Sequence, residues 1–254
     1  MTPAAVSNAA RFADVPIAGG GTPTQEWLEW GCRFPPLRLD DCPGLVVVAP
    51  HPDDEILGFG GAACAISARG IDVHTVVATD GGGAWPGLSE REQARLERSR
   101  CHESRCAAGL LGLRWPTFLR LPDGGLADHE SRLADILTDM LAARVAGTWC
   151  AATWRGDGHP DHEAVGRAAA VATSRTGAVL LEYPVWMWHW ARPGDTAVPW
   201  QRAERVMLDP VAAERKQHAT EVFRSQLDPE DGRDPIVPPH VLSRLQSVGE
   251  VVFR

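Results

Sequence analysis

Val46-Val47-Val48-Ala49 is a short apolar run that stops at Pro50 and delivers His51, Pro52, Asp53, Asp54 and Glu55. A run this apolar reads as a strand covered on both faces, as in a parallel sheet flanked by helices. In an open α/β sheet the ligand crevice lies beyond the carboxyl ends of the strands, so these polar groups fall at the usual site position. His51 and Asp54 are spaced so that a tight turn or first helical turn aims both at one point. An imidazole plus a carboxylate is the opening half of a hydrolytic zinc site, and Asp53 between them is left free.

A second stretch has the same grammar. The apolar residues 148–153 lead into Gly156-Asp157-Gly158-His159-Pro160-Asp161-His162-Glu163, and an Ala-rich run over 164–172 reads as a helix. Pro160 suits the first helical position, where its missing N–H has no helical partner. One histidine from this turn, joined to His51 and Asp54, gives three protein ligands and leaves a position for water. An ordinary helix cap is the competing reading, with Asp53 or Asp161 serving backbone N–H groups. Either motif alone leaves both readings open, whereas the pair in one strand–turn–helix setting favours the metal site.

On these residues the chain resembles the LmbE-like or PIG-L zinc-dependent deacetylases. Their Pro-His-Pro-Asp-Asp-Glu motif is present as Pro50 to Glu55, and their His-Pro-Asp-His motif as His159 to His162. Thr79-Asp80-Gly81-Gly82 and Leu121-Pro122-Asp123-Gly124 match the family's turns. Arg100, Glu103, Ala107-Ala108 and Leu111-Gly112 match its helix pattern, and Lys216, Ala219, Ser225 and Gln226 its C-terminal helix. Two positions depart. Asp157 stands where some members have a tyrosine, and Phe223 where a histidine often follows the lysine; the single tyrosine, Tyr183, lies elsewhere.

The resemblance implies Zn2+ held by His51, Asp54 and His162, with Asp53 as general base. It implies a protonated His159 stabilising the oxyanion, Asp161 orienting His159, and Arg100 contacting substrate. The implied reaction releases acetate from an N-acetylglucosamine-type unit, with a glycopeptide antibiotic pseudoaglycone as the leading specific substrate. An amidase removing a larger acyl group and a non-catalytic carbohydrate-binding descendant are the alternatives.

Strand and helix patterns alternate along the chain: strands at 45–49, 71–78, 117–120, 148–153 and 178–183, helices at 58–69, 90–110, 129–145 and 162–174. That alternation predicts right-handed βαβ units, hence a Rossmann-like α/β fold with a mainly parallel sheet and helices on both faces. A strand near 205–208, a helix over 210–226 and a covering tail from about 228, extended over 228–239, complete a single domain that starts near residue 25. Residues 1–24, rich in Ala, Gly and Pro, are expected to be mobile apart from any docking onto the body. Gly58, Gly60 and Gly61 lack the dinucleotide spacing, and three carboxylates at the turn would repel a pyrophosphate. Trp186, Trp188 and Trp190 share one face if their segment is extended, which makes them candidate substrate contacts, while His189 opposite reads as structural.

Length and composition suit one α/β domain: 254 residues, 44% of them hydrophobic. A formal net charge of -8 disfavours nucleic acid or a strongly anionic membrane. The six cysteines form no Cys-x-x-Cys pair and read as reduced thiols. Met1 to Phe12 lacks a basic region followed by an apolar one, and no 18-residue apolar run occurs, so the chain reads as cytoplasmic.

Overall fold

The computed structural model describes residues 6–31, 33–230 and 232–254. Its centre is β1 (Leu45–Ala49), five residues all buried. β2 (Val73–Val77), β3 (Thr117–Phe118), β4 (Trp149–Thr153), β5 (Val179–Tyr183), β6 (Ala203–Arg205) and β7 (Val251–Phe253) join it in one sheet of order β3-β2-β1-β4-β5-β7-β6. The first five are parallel, and β7 runs antiparallel to both β5 and β6. The order 3-2-1-4-5 is that of a doubly wound sheet, whose chain reverses direction across the sheet between β1 and β4. Val48 lies beside Ala152 across that switch point, so the turns leaving β1 and β4 open side by side.

The helices are α1 (Asn8–Ala13), α2 (Thr24–Trp30), α3 (Asp54–Ser67), α4 (Glu90–Leu110), α5 (Glu130–Ala142) and α6 (Pro160–Thr176), then α7 (Met187–Trp190), α8 (Pro210–Thr220), α9 (Arg224–Leu227) and α10 (Pro239–Val248). α4 has the predicted bounds because Ser89 and Glu92 form a reciprocal capping box. α3 starts earlier than its pattern suggested. Asp53, at φ 130, turns the chain so sharply that the helix begins directly on Asp54.

Both ends of the chain pack onto the body. Part of the amino-terminal stretch expected to be mobile is docked from Asn8 onward: the Asn8 amide donates to Gly156 O at 2.8 Å, and Arg11 pairs with Asp195 while lying over the Trp190 ring. Residues 1–5, also in that stretch, lie outside the described residues. The tail is extended only to Pro238, because Pro239 starts α10 and β7 then inserts between β5 and β6. No helix among the described residues is long and apolar enough to cross a membrane. Cys42, Cys64, Cys101, Cys106 and Cys150 are free thiols; Cys32 lies outside the described residues.

The glycines of α3 serve close packing. A Cβ on Gly58 would come within 2.1 Å of the Tyr183 ring, whose hydroxyl is tied to Val48 O at 2.8 Å and so cannot move aside. Gly58→Ala is therefore expected to lose about 1–3 kcal/mol to overpacking, which outweighs the roughly 1 kcal/mol alanine gains in helix propensity. Gly109→Ala, on open space in α4, is expected to hold or raise stability. Urea unfolding of both variants checks the contrast.

Candidate metal centre and active site

His51, Asp53 and Asp54 leave β1, while Asp157, His159, Asp161 and His162 leave β4, and the switch point brings them together. Asp54 Oδ2 stands 3.1 Å from His51 Nδ1 and 3.2 Å from His162 Nε2. The donor atoms of His51, Asp54 and His162 lie within 4.8 Å of one another, and all three residues are buried. His162 Nε2 makes no well-directed hydrogen bond although no solvent reaches it. A buried ring nitrogen without a partner, facing a carboxylate and a second imidazole, fits a divalent cation.

Charge agrees with that fit. Asp53, Asp54, Glu55, Asp157 and Asp161 are buried here and Asp123 nearly so, against one buried guanidinium, Arg100. Burial pushes the Asp54 carboxyl up, but His162 and His51 outweigh it and hold it below the usual carboxylate range. Burial lowers His162, yet Asp54 and Asp157 raise it to about 9. His51 ends well above the usual histidine range, because Asp123, Asp161 and Asp54 overcome its burial. An excess of buried negative charge is compensated here by protons, and a cation serves the same purpose.

Neighbouring carboxylates hold the two imidazoles in place. Asp157 Oδ2 lies 2.8 Å from His162 Nδ1, and its carboxylate also accepts the N–H groups of Val185, Trp186 and Met187 at 2.9–3.0 Å. Asp123 and Asp161 sit 3.0 and 3.2 Å from His51 Nε2. These two could also group with His51 around a cation. Their oxygens, however, already accept backbone N–H groups: Asp123 from Gly83, Asp161 from Gly124 and Leu126. That makes them holders of the ring, in the usual carboxylate–histidine–metal manner.

Asp53 is not consumed by this set. Its Oδ1 accepts from Arg100 Nη2 at 3.1 Å, its N–H donates to Glu55 Oε2, and it lines a cavity of about 260 Å³ with His51, Asp54, Arg100, Asp123 and His159. Burial raises its carboxyl to about 7, with Arg100 opposing and Asp54 and Glu55 assisting. Its left-handed backbone stores strain of about 1–3 kcal/mol, a common mark of a working residue. Glu55, tied to Ser104 at 2.6 Å, is raised by burial to about 7 as well.

Other sequence expectations are refined or changed. Arg100 lines the cavity and also holds Asp53, while further donors serve Pro52 O and Gly81 O, and the close approach to Gly81 leaves no room for a Cβ there. Asp161 orients His51 through its carboxylate, and reaches His159 only by its N–H, which donates to Nδ1 at 3.3 Å. That bond keeps the His159 proton on Nε2, and burial together with His162 and His51 lowers the ring to about 3. That direction runs against the imidazolium which the resemblance implies.

The tryptophan run is likewise not extended, since α7 coils it into one turn and the three rings part. Trp186 lines the cavity with Phe12, ring centroids 5.3 Å apart. Trp188 packs edge-on to Trp27 at 5.0 Å in the core, and Trp190 Nε1 donates to Asp157 O at 2.7 Å. His189 is structural as read, bonded to Val15 O and Arg244. Asp123 and Asp157 were missed as site residues; Asp123 stands in a matched turn, but nothing local says that its carboxylate faces His51.

A cation held by His51, Asp54 and His162 is expected at about one per chain in elemental analysis and lost in His162→Ala. Asp157→Asn is expected to weaken metal affinity by about 10–100-fold, read by competition with a chelator. Trp188→Ala is expected to cost about 3–5 kcal/mol in urea unfolding, as for a large core ring.

Residues 46–173, just over half of the chain, match the sequence profile of the PIG-L family, described as GlcNAc-PI de-N-acetylase. The 1D-myo-inositol 2-acetamido-2-deoxy-alpha-D-glucopyranoside deacetylase of Mycobacterium sp. (strain KMS) is 32% identical over 163 residues, covering 55% of this chain and 53% of that protein. The chain thus spans about half the length of such curated relatives. The uncharacterized deacetylase YaiS of Escherichia coli (strain K12) is 31% identical over 144 residues, covering 55% of this chain and 72% of that protein. Among solved structures, a deacetylase triple mutant of the teicoplanin biosynthetic pathway shares the fold, with a TM-score of 0.63 at 20% identity over 83% of this chain and 96% of that one. With its paired strand-end motifs, the profile match and the Escherichia coli relative, the chain belongs to the PIG-L family.

Proposed function

We propose that this protein hydrolyses the N-acetyl group of an N-acetylglucosamine-type unit in a glycoconjugate or secondary metabolite, releasing acetate and a free amine. The observation that carries this is Asp53: a buried carboxyl raised to about 7, beside the ligand set but outside it, on the wall of the cavity. Relatives named as deacetylases of a 2-acetamido sugar support the substrate class. Zn2+ at His51, Asp54 and His162 would polarise the amide carbonyl and lower the pKa of a water to about 7.

The chain's own groups do the rest. Asp53, aimed by Arg100, accepts the proton of the attacking water. His159 Nε2–H, neutral because Nδ1 is already served, donates to the carbonyl oxygen as negative charge develops there. Asp123 and Asp161 fix His51 from behind. Asp53 then returns its proton to the departing nitrogen as the C–N bond breaks, and the acid's remaining proton passes to the freed amine, so one amide and one water become one carboxylate and one ammonium.

A glycopeptide antibiotic pseudoaglycone is the leading specific substrate, supported by Phe12 and Trp186 at the cavity, two rings suited to a bulky aromatic partner. Removal of a larger acyl group is the second reading, favoured by the apolar share of the same cavity. A mass-spectrometric screen of N-acylated amino-sugar conjugates separates them by the mass lost. Asp53→Asn is expected to keep its metal and lower kcat/KM by roughly 10²-fold or more; near-normal turnover in that variant would assign the base elsewhere.

A further inference from the structure

The cavity has two unlike halves. Its polar floor comes from the turns after β1 and β4 and from α4, inside the segment that matches the family. Most of its opposite wall comes from outside that segment: Phe12 and Ile17 from the amino-terminal stretch, Trp186 from the turn before α7, Val237 from the tail, Val241 and Leu245 from α10. Apart from the indole N–H of Trp186, these side chains carry no hydrogen-bonding group. A sugar hydroxyl or an inositol ring placed there would lose its water and gain no partner, which costs about 1–3 kcal/mol per group.

The wall is also fixed in place. Arg11 pairs with Asp195, Asn8 bonds Gly156 O, and His240 Nε2 bonds Ile17 O at 3.0 Å, tying the two chain ends to each other and to the turn before His159. Val237 N–H donates to Gln226 O at 2.9 Å. The apolar surface is therefore held open beside the reacting groups instead of collapsing onto the floor.

We propose that the substrate carries an apolar substituent next to the scissile amide, seated on this wall, and that the two chain ends set the specificity. The inference rests on the proposed N-deacylation. The apolar substituent has two possible sources, the aglycone of the sugar or the acyl group itself.

Two substrate series separate them. One holds the N-acetyl group and changes the glycoside from methyl to phenyl, with the inositol glycoside as polyol control. The other holds the methyl glycoside and lengthens the acyl group from acetyl to hexanoyl. One series is expected to gain about 10-fold or more in kcat/KM, the scale of burying a ring or a few methylenes. Phe12→Ala and the near-isosteric Val241→Thr are expected to pull that ratio towards 1, with folding verified by circular dichroism and metal content. Flat kcat/KM across both series, or a ratio that survives both variants, would overturn the proposal. Calorimetry with the free-amine methyl and phenyl glucosaminides keeps the two ideas apart. Phenyl binding at least tenfold tighter without any hydrolysis would leave the wall standing and remove the deacylase reading. Hydrolysis with flat series would do the reverse.

Discussion

The parallel pairing of β1 with β4 is the constraint on which the rest depends. Val48 beside Ala152 sets two strand ends next to each other, and each end releases its own histidines and carboxylates. In a doubly wound sheet the helices after such strands diverge to opposite sides of the switch point, so a crevice opens there without any special device. Pairing β1 with another strand would strip His162 of Asp54 and leave a buried imidazole with nothing to serve.

Concentrating carboxylates in that crevice is costly unless something positive is supplied. Arg100 supplies one charge, and it is committed to Asp53. The remainder falls on His51 and His162, whose rings are pushed towards their charged forms by Asp54, Asp123, Asp157 and Asp161. Such a site fits a cation that would take the place of those protons, while burial, more than the neighbouring carboxylates, raises Asp53 towards neutrality.

Asp157 links chemistry to architecture. One buried carboxylate faces the His162 ring and caps three consecutive N–H groups at the start of the tryptophan turn. The cavity wall carrying Trp186 is thereby registered to the ligand set. A tyrosine at this position could not accept those three bonds.

Much of this was legible in the chain. The apolar runs ending at Pro50 and Thr153 and the alternating periodicities pointed to the α/β class, and the two His/Asp turns marked the residues that meet at the site, because each depends on local pattern and spacing; the roles given to His51, Asp54, His162 and Asp53 came with the family resemblance. What failed to show was whatever depends on where a side chain points after folding. Arg100, read as a substrate contact, lines the cavity but also holds Asp53; the Asp161 carboxylate faces His51, and only its N–H reaches its neighbour His159; three tryptophans on one imagined face part around a single helical turn. The chain ends looked like loose cover, since Ala, Gly and Pro carry no periodicity, yet Phe12 and Val241 both line the cavity. Sequence determined which groups could do the chemistry, through covalent spacing and burial preference. Tertiary structure alone decided which of them face the cavity and which hold the others, because that turns on contacts between segments far apart in the chain.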